Sequence, residues 1–433
     1  MSKKKPYKIQ SSAIDFFHRR QSAGFNTCDQ SDAGVGKTLM AILMAKKLGR
    51  PVAIICPKSV IPSWERELEE QGLTATFILN LERLRTGKTQ FLTKVGKKSF
   101  KWHMDPDTLF LVDEVHQCKG PFTQNAALFI ALIKQGFSVH CMSATSCEDP
   151  TEMRPLGMAL GLHSGDQKVA GLKRWWPWMK EYGCVKNEWG SWVLENPAHL
   201  PRLRAEMYST NTMRLTVDDF PASFKLNRIF TVPIEFRENK KIIKAYDSLG
   251  ITPQIVEEFI EKGTVTDRDH VLANITAARQ LAESFKVVDL AEMAEDLMAR
   301  GKSVVLFVNY KDTVDALRIR LKCDWIDGRQ TGDKRQQVID DFQEDKSHCL
   351  VVNAAAGGTG ISLHDTVGNR PRTSLISPTF NCKVYKQVLG RIHRNGGKSD
   401  AVQKVLVATN SIEEHVMTSI NRRLDNLHTL HGA

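Results

Sequence analysis

Ser31-Asp-Ala-Gly-Val-Gly-Lys-Thr38 runs directly into Leu39-Met-Ala-Ile-Leu-Met-Ala-Lys-Lys47, so a glycine-rich loop opens a strong helix-forming pattern. A loop of this kind makes an anion site, because the free N–H groups of a helix N-terminus and its dipole both favour phosphate. Gly34 and Gly36 let the backbone close around phosphates, Lys37 has the reach for the β and γ phosphates, and Thr38 offers a hydroxyl to Mg²⁺. The full phosphate-loop pattern begins with a glycine where this chain has Ser31, so the string taken alone leaves an ordinary loop open.

Working outward, Ala13-Ile-Asp-Phe-Phe17 upstream reads as part of an amphipathic helix, and Gln10 stands just ahead of it. A glutamine amide carries a donor and an acceptor and can pair with two adenine edge atoms. Downstream, Pro51-Val-Ala-Ile-Ile-Cys56 is a short buried strand. Lys58 and Ser59 follow at the start of a helix, where they either touch a nucleic-acid backbone or simply begin that helix. Thr108-Leu-Phe-Leu-Val112 is a second buried strand, with Asp113-Glu-Val-His116 at its end. Asp113 can hold Mg²⁺ and Glu114 can polarise a water attacking a γ-phosphate. The strand Gly136 to Met142 ends in Ser143-Ala144-Thr145, small residues suited to a relay between two ligands or to a bare turn.

This ordered set resembles the superfamily 2 helicases and, within them, the Swi/Snf-type DNA translocases. It comprises Gln10, Asp32-x-Gly-x-Gly-Lys-Thr38, Pro57-Lys-Ser59, Asp113-Glu-Val-His116 and Ser143-Ala-Thr145. In that superfamily an aspartate often stands two residues before the first glycine, as Asp32 does, which adds Asp32 to the nucleotide set. The resemblance gives His116, Ser143, Ala144 and Thr145 a coupling role. Further on, Arg174-Trp-Trp-Pro-Trp178 and Trp189-Gly-Ser-Trp192 hold five of the eight tryptophans. They read as the packing of a helical insertion at about 150–225, or as a surface that stacks on bases. The Trp-Gly element and Asn196-Pro-Ala-His-Leu200 are similar to the fork-remodelling, annealing-helicase branch. Arg214 matches only half of the family's paired arginines, because Leu215 takes the second place.

The second half alternates strands and helices again, with charged helical patterns at Asn239 to Leu249 and Val287 to Met298 and a buried strand at Ser303 to Val308. Asn309 and Tyr310 end that strand and are counted with the DNA contacts. Asp327-Gly328 and Arg335 to Phe342 resemble a further family block. Ala354-Ala-Ala-Gly-Gly-Thr-Gly-Ile361 resembles the motif that touches the DNA backbone, placing Gly357, Gly358 and Thr359 there. Gln387-x-x-Gly390-Arg391-Ile-His-Arg394 carries two arginines expected on one helix face, where they present fixed donors to a phosphate. An arginine that neutralises charge developing in phosphoryl transfer is worth a large rate factor. Arg391 and Arg394 are the candidates, with Gln387 as a γ-phosphate sensor.

The resemblance implies an α/β fold: two RecA-like parallel-sheet domains in tandem, at 1–225 with the insertion and at 226–433 with a helical segment at about 236–300. It implies an ATP hydrolase using ATP and Mg²⁺, with DNA preferred over RNA as partner and a monomeric state. The expected activity is DNA translocation that remodels branched DNA, by branch migration, fork regression or annealing. A strand-separating helicase, or a nucleic-acid-stimulated ATPase acting on a protein partner, are the alternatives. The size suggests a compact phage or bacterial member. A net charge of +11 over 433 residues fits a polyanionic partner. The nine cysteines are scattered without a Cys-x-x-Cys pair, which suits reduced thiols and a cytoplasmic setting (host cytoplasm if viral, nuclear if eukaryotic) and speaks against structural zinc. No run is long and apolar enough for a membrane span.

Overall fold

The computed structural model describes residues 4–144, 146–187, 190, 192–220, 224–262, 268–357 and 361–431. The chain divides into two compact units: Met1–Asp219 with Asp425–Ala433, and Phe220–Leu424. The sequence reading assigned the whole C-terminal stretch to the second domain, whereas the end of the last helix, Ile412–His431, is counted with the first unit. There His431 is buried, its Nε2 lying 2.8 Å from the carbonyl of Cys147.

In the first unit, strands β1 (Thr27–Asp29), β2 (Val52–Ile55), β3 (Phe77–Leu79), β6 (Leu109–Asp113), β7 (Ser138–Met142) and β10 (Thr212–Met213) form one parallel sheet in the order β10-β1-β7-β6-β2-β3. Two antiparallel pairs accompany it: β4 (Leu92–Gly96) with β5 (Ser99–Trp102), and β8 (Cys184–Lys186) with β9 (Trp192–Leu194). Every residue of β2 is buried, as expected of a parallel strand covered by helices on both faces. The parallel arrangement places all the strand C-termini on one edge, the side where open α/β sheets bind ligands. Register sets a row along that edge, because Met142 is the partner of both Asp29 and Asp113.

The tryptophan-rich stretch contains more than helices. Helices Arg154–Ala159, Trp175–Glu181 and Leu200–Tyr208 share it with the β8–β9 pair, and its end returns to the main sheet as β10. A two-residue strand leaves no periodicity to read. Trp175 and Trp178 are buried in the core of the unit, and Trp176 packs 5.6 Å from Trp192, so these rings are packing residues. Trp189 lies outside the described residues.

The second unit repeats the architecture. Strands β11 (Asn227–Ile234), β12 (Ser303–Val308), β13 (Asp324–Ile326), β14 (Cys349–Asn353), β15 (Arg372–Ile376) and β16 (Ala401–Ala408) make a parallel sheet in the order β11-β16-β15-β12-β14-β13. Helices Asn239–Asp247, Pro253–Lys262, Arg268–Ser284 and Val287–Ala299 separate β11 from β12. Inside the unit the ammonium of Lys286 is buried against Glu413, 2.6 Å from Oε1, and Ala408 N–H donates to Oε2 of the same carboxylate at 2.9 Å.

Candidate nucleotide site and the paired motifs

The glycine loop follows β1 and enters helix Lys37–Leu48 through two left-handed glycines, Gly34 at φ 88° and Gly36 at φ 95°. Those angles favour a residue without Cβ. Gly36 has a second reason to be glycine, since a Cβ there would meet Gln10 Nε2 at 2.5 Å. Gln10 is buried in helix Lys8–Ser22, donates from Nε2 to the carbonyl of Val35 at 2.7 Å and accepts at Oε1 from Tyr7 N–H at 2.8 Å. Gln10 therefore braces the loop from below, a use that the adenine reading did not anticipate. Lys37 Nζ rests on the carbonyls of Ser31 and Asp32 at 2.7 and 2.9 Å, and Thr38 is half-buried in the first helical turn.

Ser31, the residue that departs from the glycine pattern, has a partner of its own. Its buried Oγ accepts from Leu215 N–H at 2.9 Å, and Asp32 N–H donates to the Leu215 carbonyl at 2.9 Å. Asp32 also receives Arg214 Nη2 at 2.7 Å. The loop's first two residues are thus stapled to the segment after β10, and the half-matched Arg214 is the cation of that staple. Asp32 faces Arg214.

Asp113 ends β6 half-buried. Burial and the neighbouring Glu114 push its carboxyl up to about 7, while the Trp64 indole, donating to Oδ2 at 3.1 Å, works in the opposite direction. Asp29 is a second acid on this edge, and it is fully buried. Burial raises its carboxyl and Lys37 opposes the rise. Its Oδ1 accepts from Ser31 N–H at 2.9 Å, and Oδ2 is buried with no hydrogen-bond partner among the described residues. Sequence reasoning passed over Trp64 and Asp29. A tryptophan in a helix and an aspartate before a glycine loop carry no pattern, and only the fold brings them to the site.

Glu114 takes a left-handed conformation, φ 51° and ψ 49°. Its Oε2 lies 3.0 Å from His116 Nδ1 and accepts from Ser143 Oγ at 3.4 Å, and His116 Nδ1 lies 3.1 Å from Ser143 Oγ. The structure therefore joins Glu114, His116 and Ser143, with Ala144 next in chain, while Thr145 lies outside the described residues. Lys58 is exposed on the short turn Lys58–Val60 after β2, with Ser59 half-buried beside it.

In the second unit Asn309 is committed to the fold. Its Nδ2 donates to Glu283 Oε2 at 2.7 Å and to the Pro378 carbonyl at 3.0 Å, and its amide and that of Tyr310 both donate to Glu283. Glu283, buried and unnoticed in the sequence, neutralises the N-terminus of helix Lys311–Leu321. Tyr310 OH donates to the Thr276 carbonyl at 3.3 Å. Gly357 ends the short helix Ala354–Gly357, and Gly358 and Thr359 lie outside the described residues.

Arg391 and Arg394 do not share a helix face. Helix Cys382–Leu389, which carries the half-buried Gln387, stops at Gly390, where the N–H groups of Gly390 and Arg391 turn back to Gln387 and Val388 at 3.2 and 3.0 Å. Arg391 is only 3% exposed and donates to the carbonyls of Gln387 (2.7 Å) and Ile361 (3.0 Å), tying Ile361 to the helix end. Arg394 is the more accessible, with Nε 3.1 Å from the Gly390 carbonyl.

Residues 286–396 match the model of the helicase conserved C-terminal domain. The chain is 31% identical over 431 residues to a putative ATP-dependent RNA helicase of Acanthamoeba polyphaga mimivirus, covering 93% of this chain and 79% of that one. It is 31% identical over 146 residues to the DNA repair and recombination protein RAD54-like of Drosophila persimilis, but there it covers only 32% of this chain and 18% of the relative's length. The structure of S. cerevisiae Dbp5 bound to RNA and ADP BeF3 shares the fold at 14% identity, with a TM-score of 0.53 over 98% of this chain and 88% of that one. A loop built for phosphate, two acids at the neighbouring strand end and a relative matched along nearly the whole length lead to one conclusion: the chain belongs to the Swi/Snf-type branch of the superfamily 2 helicases, ATP-hydrolysing enzymes that act on nucleic acid.

Proposed function

We propose that this protein is a DNA translocase that uses ATP hydrolysis to remodel branched DNA. The observation that carries the reading is the row of Lys37, Asp113, Glu114 and Ser143 on one sheet edge, with His116 and Ser143 both reaching Glu114. Such a row can link the state of a bound phosphate to a neighbouring nucleic-acid contact. The matched DNA repair and recombination relative favours DNA and strand rearrangement.

In this mechanism the loop amides and Lys37 hold the ATP phosphates, and Gln10 keeps Gly36 in its left-handed geometry beneath them. Glu114 orients the attacking water. Asp113 and Thr38 would hold Mg²⁺, and the raised carboxyl of Asp113 fits that assignment, because a buried acid beside a second acid gains most from a cation. The ion would neutralise phosphate charge. Arg394 is assigned to the charge developing on the γ-phosphate, Gln387 to sensing it, and Lys58, Ser59, Gly357, Gly358 and Thr359 to the DNA backbone. The name of the mimivirus relative supports a second reading, an RNA-directed helicase.

ATP turnover measured with single-stranded, duplex, forked and four-way DNA and with RNA, followed by analysis of the strand products, separates the two. Strongest stimulation by forks or junctions with exchanged strands is the expected result. Stimulation by RNA alone, or unwinding confined to tailed duplexes, would overturn the proposal. Lys37→Ala should abolish turnover while nucleic-acid binding persists.

A further inference from the structure

The β4–β5 hairpin has no part in the nucleotide site, yet its composition is extreme. From Lys88 to Met104 the sequence holds five lysines (Lys88, Lys94, Lys97, Lys98 and Lys101) and no acid. Phe100 and Trp102 anchor the hairpin in the core, while every residue from Thr93 to Ser99 is exposed, including Val95 at 58%. The ribbon runs alongside helix Gln124–Lys134. Trp102 N–H donates to Gln135 at the C-terminal end of that helix at 3.0 Å, and Lys94 Nζ reaches Gln124 Oε1 at its N-terminal end at 3.3 Å. Lys98 Nζ donates to the Phe122 carbonyl at 2.5 Å. Because the helix follows β6 in a parallel sheet, its N-terminus lies on the edge that carries Asp113 and Lys58. The lysine tip is brought to that same edge.

Between hairpin and helix lies a cavity of about 300 Å³, lined by Lys98, Phe122, Thr123, Lys134 and Arg154 among others. Lys94 and Lys98 near the helix N-terminus oppose its dipole and one another, a repulsion that a nearby anion would relieve. The nearby acids are already engaged: Glu148 and Glu152 hold Lys119, and Asp166 holds Arg154. Arg154 Nε is buried in this region without a hydrogen-bond partner among the described residues. Phe122, 53% exposed, adds an aromatic surface beside the cations.

We infer that the β4–β5 hairpin and the cavity beneath it form an additional grip on the sugar–phosphate backbone of the nucleic acid, extending the track that begins at Lys58. Lysines, point charges on flexible four-carbon stems, suit phosphates without regard to sequence. The inference rests on the nucleic-acid reading above, and its test separates the two. The variant Lys97→Gln/Lys98→Gln/Lys101→Gln is compared with wild type and with a control of equal charge, Lys168→Gln/Lys240→Gln/Lys311→Gln, in binding a duplex oligonucleotide across a salt series. Each lost phosphate contact lowers the slope of log K against log salt by about 0.9, on the order of eightfold in affinity at 0.1 M salt. The hairpin variant should lose up to three such steps while the control keeps the wild-type slope. Equal slopes for both variants, or an unchanged hairpin variant, would overturn the hairpin grip. Absence of binding by the wild type to any nucleic acid would instead remove the function on which it rests.

Discussion

Gly36→Ala tests the loop geometry directly. The new methyl must adopt φ 95°, a left-handed setting that costs an L-residue about 1–2 kcal/mol. It must also share space with Gln10 Nε2 at 2.5 Å, so the glutamine has to leave. Its departure breaks the 2.7 Å bond to the Val35 carbonyl, and stranding that buried acceptor costs a further ~1–3 kcal/mol. The single variant should therefore lose about 2–5 kcal/mol. In a Gln10→Ala background the clash is absent, and only the backbone cost of about 1–2 kcal/mol should remain. The coupling in the double-mutant cycle is thus about 1–3 kcal/mol. Urea unfolding followed by tryptophan fluorescence reads the correct unit, because seven of the eight tryptophans precede residue 219 and only Trp325 lies in the second. Additive effects, with Gly36→Ala equally costly with and without Gln10, would refute the claim that Gln10 braces the loop.

Other consequences are simpler to state. The Asp113 carboxyl is raised to about 7, so the fold binds a proton that the unfolded chain releases near pH 4; this group's contribution to stability falls as pH rises from about 4 to 7 and is flat above. ATP hydrolysis should accordingly rise with pH through the same carboxyl, and Trp64→Phe, which removes the donor favouring its ionised form, should move the kcat/KM profile to higher pH. Arg391→Ala should cost about 2–4 kcal/mol of second-unit stability, since the buried Ile361 carbonyl and the part-buried Gln387 carbonyl lose a charged donor, whereas Arg394→Ala should leave thermal unfolding near wild type and lower kcat. Arg214→Ala should weaken ATP-analogue binding, measured by titration, because the anchor of Asp32 is lost, and Arg214→Lys should restore part of it.

What could be read from the sequence was chemistry that imposes spacing on neighbouring residues. A phosphate loop needs its glycines, lysine and hydroxyl within a few positions, and a strand buried on both faces must be a run such as Val52 to Ile55. The rest depends on partners far apart in the chain. Asp32 meets Arg214, Trp64 meets Asp113 and Glu283 meets Asn309, pairs separated by 182, 49 and 26 residues with nothing in the local sequence to say that they meet. One local misreading was Arg391 and Arg394 on a continuing helix. Gly390 between Leu389 and Arg391 was visible, and a glycine at a helix end is a common stop.

The coupling proposed for this family member reduces to one carboxylate oxygen. Glu114 Oε2 is the shared acceptor for His116 Nδ1 and Ser143 Oγ. If the imidazole proton on Nδ1 points at Glu114, Nδ1 has no lone pair to offer the Ser143 hydroxyl at 3.1 Å, and of this pair of neighbours only Glu114 can accept the hydroxyl proton. Any event that draws Oε2 toward an attacking water takes the acceptor from both groups together. Glu114 also sits at φ 51°, which costs a non-glycine residue about 1–2 kcal/mol, so the contacts at its carboxylate help hold a strained backbone. Releasing the oxygen therefore weakens the hold on that conformation at the same moment that it frees Ser143. Because Ser143 begins the loop after β7, beside the end of β6, the signal travels one strand spacing through a single side chain.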